Sequence, residues 1–241
     1  MRSNSLLKQA LTKNPLEVLD VGTGFGTHAV AFIANGSTKV VGLDPKPQYL
    51  EHTAYEYIQS SYEEADLEGK QFDMVWCSHT LEHMPNVQHF LTTLREWLKP
   101  GGWLAIGVHT ARQNRLHIGH LTLWTPAHLV YNLICAGWDC KEAIWYTEYL
   151  TIGLMVQKKP NIDLSWRTGL PGEGPKLNQY SPKLILHEQG AWWGNSWPEE
   201  LEVCRVTDPP GVTTGIQNTD LPPELQLAYG PNPNLRMPPG V

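Results

Sequence analysis

Glu17-Val-Leu-Asp-Val-Gly-Thr-Gly-Phe-Gly-Thr27 decides the fold. It reads as a short buried strand over 17–21 that enters a glycine-rich turn, with a helix of small residues following over 26–35. Gly22, Gly24 and Gly26 let the backbone turn tightly and approach a ligand with no Cβ in between. Next, Lys39-Val-Val-Gly-Leu43 reads as a second apolar strand ending in Asp44, eighteen residues beyond Gly26. A carboxylate there suits a ribose diol, because it accepts from both hydroxyls. The first third of the chain therefore reads as a nucleoside cofactor site.

The spacing decides which nucleoside. A dinucleotide fingerprint counted from Gly22 requires glycine where Thr27 stands. Asp20 also lies close to the loop, where it serves a pyrophosphate poorly and a positively charged sulfonium with a free amino group well. Two later stretches fit the same scheme. Phe72-Asp-Met-Val-Trp-Cys-Ser-His-Thr-Leu-Glu-His83 reads as a fourth strand and its loop. Leu94-Arg-Glu-Trp-Leu-Lys-Pro-Gly-Gly-Trp-Leu-Ala-Ile106 reads as a helix, a Pro-Gly-Gly turn and a fifth strand.

With these markers in order over about residues 15–158, the chain resembles the class I S-adenosylmethionine-dependent methyltransferases of small-molecule type. The resemblance implies an α/β fold, a seven-stranded doubly wound and mostly parallel sheet, with S-adenosylmethionine as cofactor. It assigns Asp20, Gly22, Thr23, Gly24, Phe25 and Gly26 to the methionyl part, and Asp44 with its neighbour Pro45 to the ribose. Ser60, Ser61 and Tyr62 stand where the family often places an Asp beside the adenine amine; Asp66 is a nearby alternative acid. Cys77 and Ser78 are expected to place the donor, by backbone contact with the amine or by side chains facing substrate. Asp20 has the alternative of capping loop amides, and Asp44 that of a helix N-cap.

Four histidines are candidate bases: His79, His83, His109 and His117, a side chain suited to proton transfer near neutral pH. His79 and His83 are four apart, which puts them on one face of a helix. That spacing also holds metals, but no metal is assigned; His83 packing the loop is the structural alternative. The stretch from His109 to Trp124, with Arg112, Asn114, Arg115, His117 and His120, follows the fifth strand, where a doubly wound sheet opens its crevice. A solvated surface loop is its alternative reading.

Periodicity places strands at 17–21, 39–43, 55–59, 72–77, 102–108, 141–147 and 149–157, and helices at 26–35, 47–53, 87–98 and 126–136. Thr125-Pro126 reads as an N-cap and first turn, with Gly137 as the stop. Some fifteen residues precede the first strand, so no N-terminal helical lid is expected. Any lid must come from 109–125 or from the C-terminal part. Residues 1–159 are read as the cofactor-binding domain and 160–241 as a partly ordered Pro/Trp-rich extension. Thirteen of the 19 prolines fall in that extension, with Trp166, Trp192, Trp193 and Trp197. Such proline density prevents long helices and central strands, leaving room for one short strand at 183–187. The tryptophans argue for docking on the core.

At 241 residues and 41% hydrophobic, the chain has material for one full α/β core. Its net charge of −6 carries no electrostatic footprint for nucleic acid, though Arg112 with Arg115, or Lys158 with Lys159, leaves a local basic groove open. Cys77, Cys135, Cys140 and Cys204 form no Cys-x-x-Cys pair, which suggests a reduced compartment. No apolar run reaches membrane-spanning length, and a cytoplasmic, soluble protein is expected. The expected activity is methyl transfer to a small or modest-sized acceptor, at oxygen. Two alternatives stay open: a protein or nucleic-acid methyltransferase that grips its acceptor with the tail, and a non-catalytic cofactor-binding module. The acceptor and the oligomeric state are not legible.

Overall fold

The computed structural model describes residues 3–46, 55–110, 118–148, 151–167 and 174–182. Strands β1 (Glu17–Val21), β2 (Lys39–Asp44), β3 (Glu56–Gln59), β4 (Phe72–Ser78), β5 (Leu98–His109), β6 (Ile144–Glu148) and β7 (Thr151–Gln157) form one sheet. Its order is β3-β2-β1-β4-β5-β7-β6. Only β7 runs antiparallel to β5, and β6 pairs antiparallel with β7. The expected seven-stranded, doubly wound, mostly parallel sheet is the one formed. Chain order reverses between β1 and β4, and the crevice of such a sheet opens at that switch point, past the carboxyl ends of the strands.

Helices α2 (Thr27–Ala34), α3 (Val87–Glu96) and α4 (Pro126–Cys135) follow the sequence pattern. Thr125 caps α4 by accepting from the His128 N–H, with Pro126 in the first turn, and Gly137 (φ +89°) stands just past the end. Asn86 caps α3 in the same way, a contact worth about 1 kcal/mol. Phe90, Leu91 and Leu94 on α3 are fully buried, each stabilising the fold by roughly 1.5–3 kcal/mol. The helix expected at 47–53 lies outside the described residues.

Three expectations change. Residues before β1 do form a helix, α1 (Asn4–Leu11), because Leu6, Leu7 and Ala10 recur at helical spacing and bury against β5, β6 and β7. Ser3, at its head, reaches the end of β4, where its hydroxyl lies 3.0 Å from that of Ser78. Second, α3 ends at Glu96 and β5 begins at Leu98, so Pro100-Gly101-Gly102 sits inside a strand and not before it. The irregular register between Phe72 and Met74 accommodates the extra residues, and the Gly101 N–H donates to the Lys158 carbonyl. Third, β6 starts three residues later than the pattern suggested, at Ile144.

Beyond residue 159, Ile162, Leu164, Trp166 and Tyr180 pack against the main core and Leu177 is buried in it. Helix α5 (Gly174–Leu177) is a single turn. The Cys140 N–H donates to the Tyr180 carbonyl, tying this segment to the sheet domain. The strand expected at 183–187 and Trp192, Trp193 and Trp197 lie outside the described residues. Lys158 donates to the Leu98 carbonyl, and Lys159 pairs with Glu142 and Asp139. Among the described residues no helix is long and apolar enough to cross a membrane.

Candidate active site

The glycine loop is held from two sides. The Gly22 N–H donates to the Leu43 carbonyl at the end of β2, and the Thr80 hydroxyl, from the loop after β4, donates to the Val21 carbonyl. Gly22 takes φ +74°, and a Cβ there would lie 2.0 Å from the Thr80 hydroxyl, so only glycine fits. Gly24, at φ +52°, differs: no described atom lies within 4 Å of where its Cβ would be. That strip of bare backbone faces open space, the condition for a ligand to lie against it. Phe25 beside it is half-exposed, and Thr23 is buried.

Asp20 is buried at the end of β1 and accepts a 2.9 Å hydrogen bond from the Thr23 hydroxyl. Burial pushes its carboxyl up to about 7, the Thr23 bond working against the shift and the Asp44 charge adding to it. This carboxylate costs free energy to ionise until a cation stands beside it. Asp44 ends β2, and its two oxygens accept from the Gly24 and Lys46 N–H groups at 3.0 and 2.9 Å. These bonds fix both the carboxylate and the loop, and each oxygen keeps a lone pair for a hydroxyl. Pro45 beside it is exposed.

After β3, Ser60 and Ser61 are half-buried, and the Ser60 N–H donates to the Asp44 carbonyl. Tyr62 turns inward: its ring packs edge-on against Phe90 with centroids 4.7 Å apart. For Cys77 the structure narrows the two expected roles. Its side chain is fully buried in the core among β-strand residues, because alternation along β4 turns it into the sheet. Burial raises its thiol. Only its backbone and the half-buried Ser78 remain for the donor end.

The histidines gather around a residue that sequence reasoning left off the site. Glu82, fully buried in the 3-10 turn Leu81–His83, lies 3.1 Å by Oε1 from His79 Nδ1 and accepts from the His109 N–H on that same oxygen. Burial alone raises its carboxyl, but the hydrogen bond and charge of His79, then the charge of His83, hold it below the ordinary carboxylate range. His79 Nε2 lies 3.1 Å from the Thr151 hydroxyl at the start of β7. His79 takes φ +56°, a left-handed backbone uncommon for a side chain of this size. His79 therefore stands outside the 3-10 turn Leu81–His83, and the two histidines do not belong to one helix.

His83 Nδ1 lies 2.8 Å from the Gly119 carbonyl, and so carries the proton. His109 is buried at the end of β5, its Nδ1 3.1 Å from the Thr110 carbonyl. His120, also missed as a site residue, stacks edge-on with both His83 and His109, centroids 5.0 and 5.2 Å away. It is brought there because the Leu121 N–H donates to the Glu82 carbonyl, folding the returning loop over the 3-10 turn. His117, Arg112, Asn114 and Arg115 lie outside the described residues. The His-x-x-Glu spacing of residues 79 and 82 was the available signal for Glu82; His120 had none beyond its place in the loop.

A family model described as a methyltransferase domain matches residues 3–136. Over 144 residues the chain is 38% identical to a ubiquinone biosynthesis O-methyltransferase of Rickettsia conorii, covering 56% of this chain and 46% of that protein. The chain spans about half the length of the curated relatives it matches. Its fold is similar to that of 1,6-didemethyltoxoflavin-N1-methyltransferase from Burkholderia thailandensis, solved with 1,6-didemethyltoxoflavin and S-adenosylhomocysteine. The TM-score is 0.55 at 21% identity, covering 66% of this chain and 77% of that one. The N-methyltransferase NodS of Bradyrhizobium japonicum, solved with S-adenosylhomocysteine, gives TM-score 0.55 at 14% identity, covering 66% and 86%. At these identities the structural likeness is one of fold.

Proposed function

Since the chain belongs to the methyltransferase-domain family, we propose that it transfers the methyl group of S-adenosylmethionine to a hydroxyl of a small acceptor. One observation carries the reading: an imidazole–carboxylate pair, His79 and Glu82, stands in the loop that Thr80 fastens to the glycine turn. Donor site and base therefore share one crevice. The O-methyltransferase relative supports oxygen as the atom methylated.

The residues present fit the cofactor. Asp20 is a buried acid whose ionisation a cationic methionyl end favours, Gly24 leaves open backbone, and Asp44 is fixed to accept from a ribose. Bound there, S-adenosylmethionine supplies a methyl group on a sulfonium, open to in-line displacement. The chain's contribution is then position and one proton transfer. Glu82 accepts from His79 Nδ1–H, which fixes the tautomer with Nε2 as the basic nitrogen. The Thr151 hydroxyl donates to Nε2 and occupies its one lone pair, so an acceptor hydroxyl takes the proton-transfer position by displacing Thr151 from it. Loss of that acceptor proton to His79 leaves an imidazolium beside the Glu82 carboxylate. With its side chain buried, Cys77 has its backbone to offer the donor end.

The test is turnover of the full chain with S-adenosylmethionine against phenols, catechols, aliphatic alcohols and amines, with products identified by mass spectrometry. The expected product is a methyl ether together with S-adenosylhomocysteine. N-methylation alone would overturn the choice of oxygen, and cofactor binding without turnover of any acceptor would leave a binding module.

A further inference from the structure

Glu82 uses only half of its carboxylate in the network just described. Oε1 accepts from His79 and His109, whereas Oε2 is buried and has no hydrogen-bond partner. A buried, ionised carboxylate with one oxygen unmatched is costly, and a cation is what relieves it. Two further imidazoles stand close to this carboxylate. Ligand atoms of Glu82, His83 and His120, one from each, all lie within 4.8 Å of one another.

The nitrogen that His83 presents is already settled. Its Nδ1–H donates to the Gly119 carbonyl, which leaves Nε2 with its lone pair outward. A backbone carbonyl on the far nitrogen is the arrangement that orients metal-binding histidines. The three residues also come from two segments fastened together, since the Leu121 and Thr122 N–H groups both donate to the Glu82 carbonyl. Burial is graded: Glu82 is buried, His120 half-buried and His83 exposed, so the group opens toward solvent on one side.

We propose that Glu82, His83 and His120 form a binding site for a divalent cation of the zinc class, which the structure brings together beside the donor crevice. Two imidazoles and one carboxylate suit a borderline-soft ion better than magnesium or calcium, which take oxygen ligands. Tetrahedral zinc holds its ligands about 3.4 Å apart, so from separations of 4.8 Å or less the group closes by at most about 1.4 Å on binding, a movement open to the exposed His83 ring. Three protein ligands leave a fourth position for water or an oxygen of a bound molecule. The site goes beyond the methyl-transfer reading and does not rest on it, because its readout is metal uptake by the protein alone.

The experiment is titration of the chelator-treated full chain with zinc by calorimetry and with cobalt by visible absorption, whose ligand-field bands report tetrahedral coordination. One equivalent is expected. His83→Ala and His120→Ala each weaken uptake by roughly tenfold or more, Glu82→Gln does likewise, and His128→Ala, exposed on α4, leaves it unchanged. His83→Ala keeps the test decisive should Glu82→Gln fail to fold, since His83 is exposed. Absence of stoichiometric uptake overturns the proposal. So does uptake at wild-type affinity in both histidine variants, because the metal would then sit on other histidines.

Discussion

His79 Nδ1 and Glu82 Oε1 lie 3.1 Å apart, the imidazole largely and the carboxylate wholly buried. The pair spans a sharp change of backbone, from the left-handed His79 to the 3-10 turn that carries Glu82. A left-handed residue costs on the order of 1–3 kcal/mol, and here both ring nitrogens have partners that hold it in place. Backbone strain and side-chain satisfaction are thus two sides of one feature.

Replacing Glu82 with Gln removes the charge but keeps the shape. The turnover rate is expected to fall by roughly 10²-fold or more, with S-adenosylmethionine affinity within a fewfold of wild type. Full turnover in a folded Glu82→Gln protein would exclude His79 as the base. Acid stability gives a second readout. The Glu82 carboxyl is depressed in the folded chain, so its contribution is present above the unfolded value and is lost as pH falls through the folded one. Wild type should lose more stability on acidification than the variant, measured by denaturant melts across pH.

Asp20 has the opposite sign. Its carboxyl is raised to about 7, so the folded chain binds more protons than the unfolded one between the ordinary carboxylate range and 7. Its ionisation costs stability as pH rises through that window, by about 1.4 kcal/mol per unit at most. A cationic ligand reverses this by favouring the ionised form. Cofactor affinity should therefore climb as pH rises toward 7 and then level, with proton release below 7 by calorimetry in buffers of differing ionisation enthalpy. Asp20→Asn should flatten that dependence; an equally pH-dependent variant would place the linkage elsewhere.

The glycine loop could be read from sequence because its chemistry is local. Three left-handed glycines and an acid at each strand end lie within 25 residues, and each constraint acts on its own backbone. The histidine cluster could not, because Glu82 meets the His109 N–H, and His79 the Thr151 hydroxyl, only once β5 and β7 are laid side by side, and His120 arrives only when the loop before α4 folds back over the 3-10 turn. The interval of four between His79 and His83 suggested a shared face, but the left-handed residue at 79 breaks helical spacing before it begins. Helix α1 was legible in Leu6, Leu7 and Ala10, a periodicity passed over because the segment is short.

Asp44 is held by two loop amides, so Asp44→Ala should act twice. Loss of a charge-assisted contact to ribose should weaken cofactor binding by on the order of 1.5–3 kcal/mol, roughly ten- to a hundredfold. Loss of the bonds to the Gly24 and Lys46 N–H groups should also lower stability by about 1 kcal/mol. Calorimetry and thermal melts separate the two. A stability loss with less than twofold change in affinity would make Asp44 a cap for the loop alone.

Where the chain is cut after β7 decides what is lost. Removing everything after Lys159 strips Ile162, Leu164, Trp166, Leu177 and Tyr180 from the core they cover, and the Tyr180 carbonyl from the Cys140 N–H. Burial of Leu177 alone is worth roughly 1.5–3 kcal/mol, so this truncation should lower the melting temperature by several degrees at least. Cutting after Pro182 keeps every one of those contacts and should leave stability close to that of the full chain. The cofactor residues from Asp20 to Ser78 are present in both truncated forms, so their affinities for S-adenosylmethionine should agree wherever both are folded. If the cut after Lys159 melts with the full chain, residues 160–182 add no net stability and the sheet domain ends at β7. If the cut after Pro182 is also strongly destabilised, the packing that matters lies further along the extension, in the stretch that contains Trp192, Trp193 and Trp197.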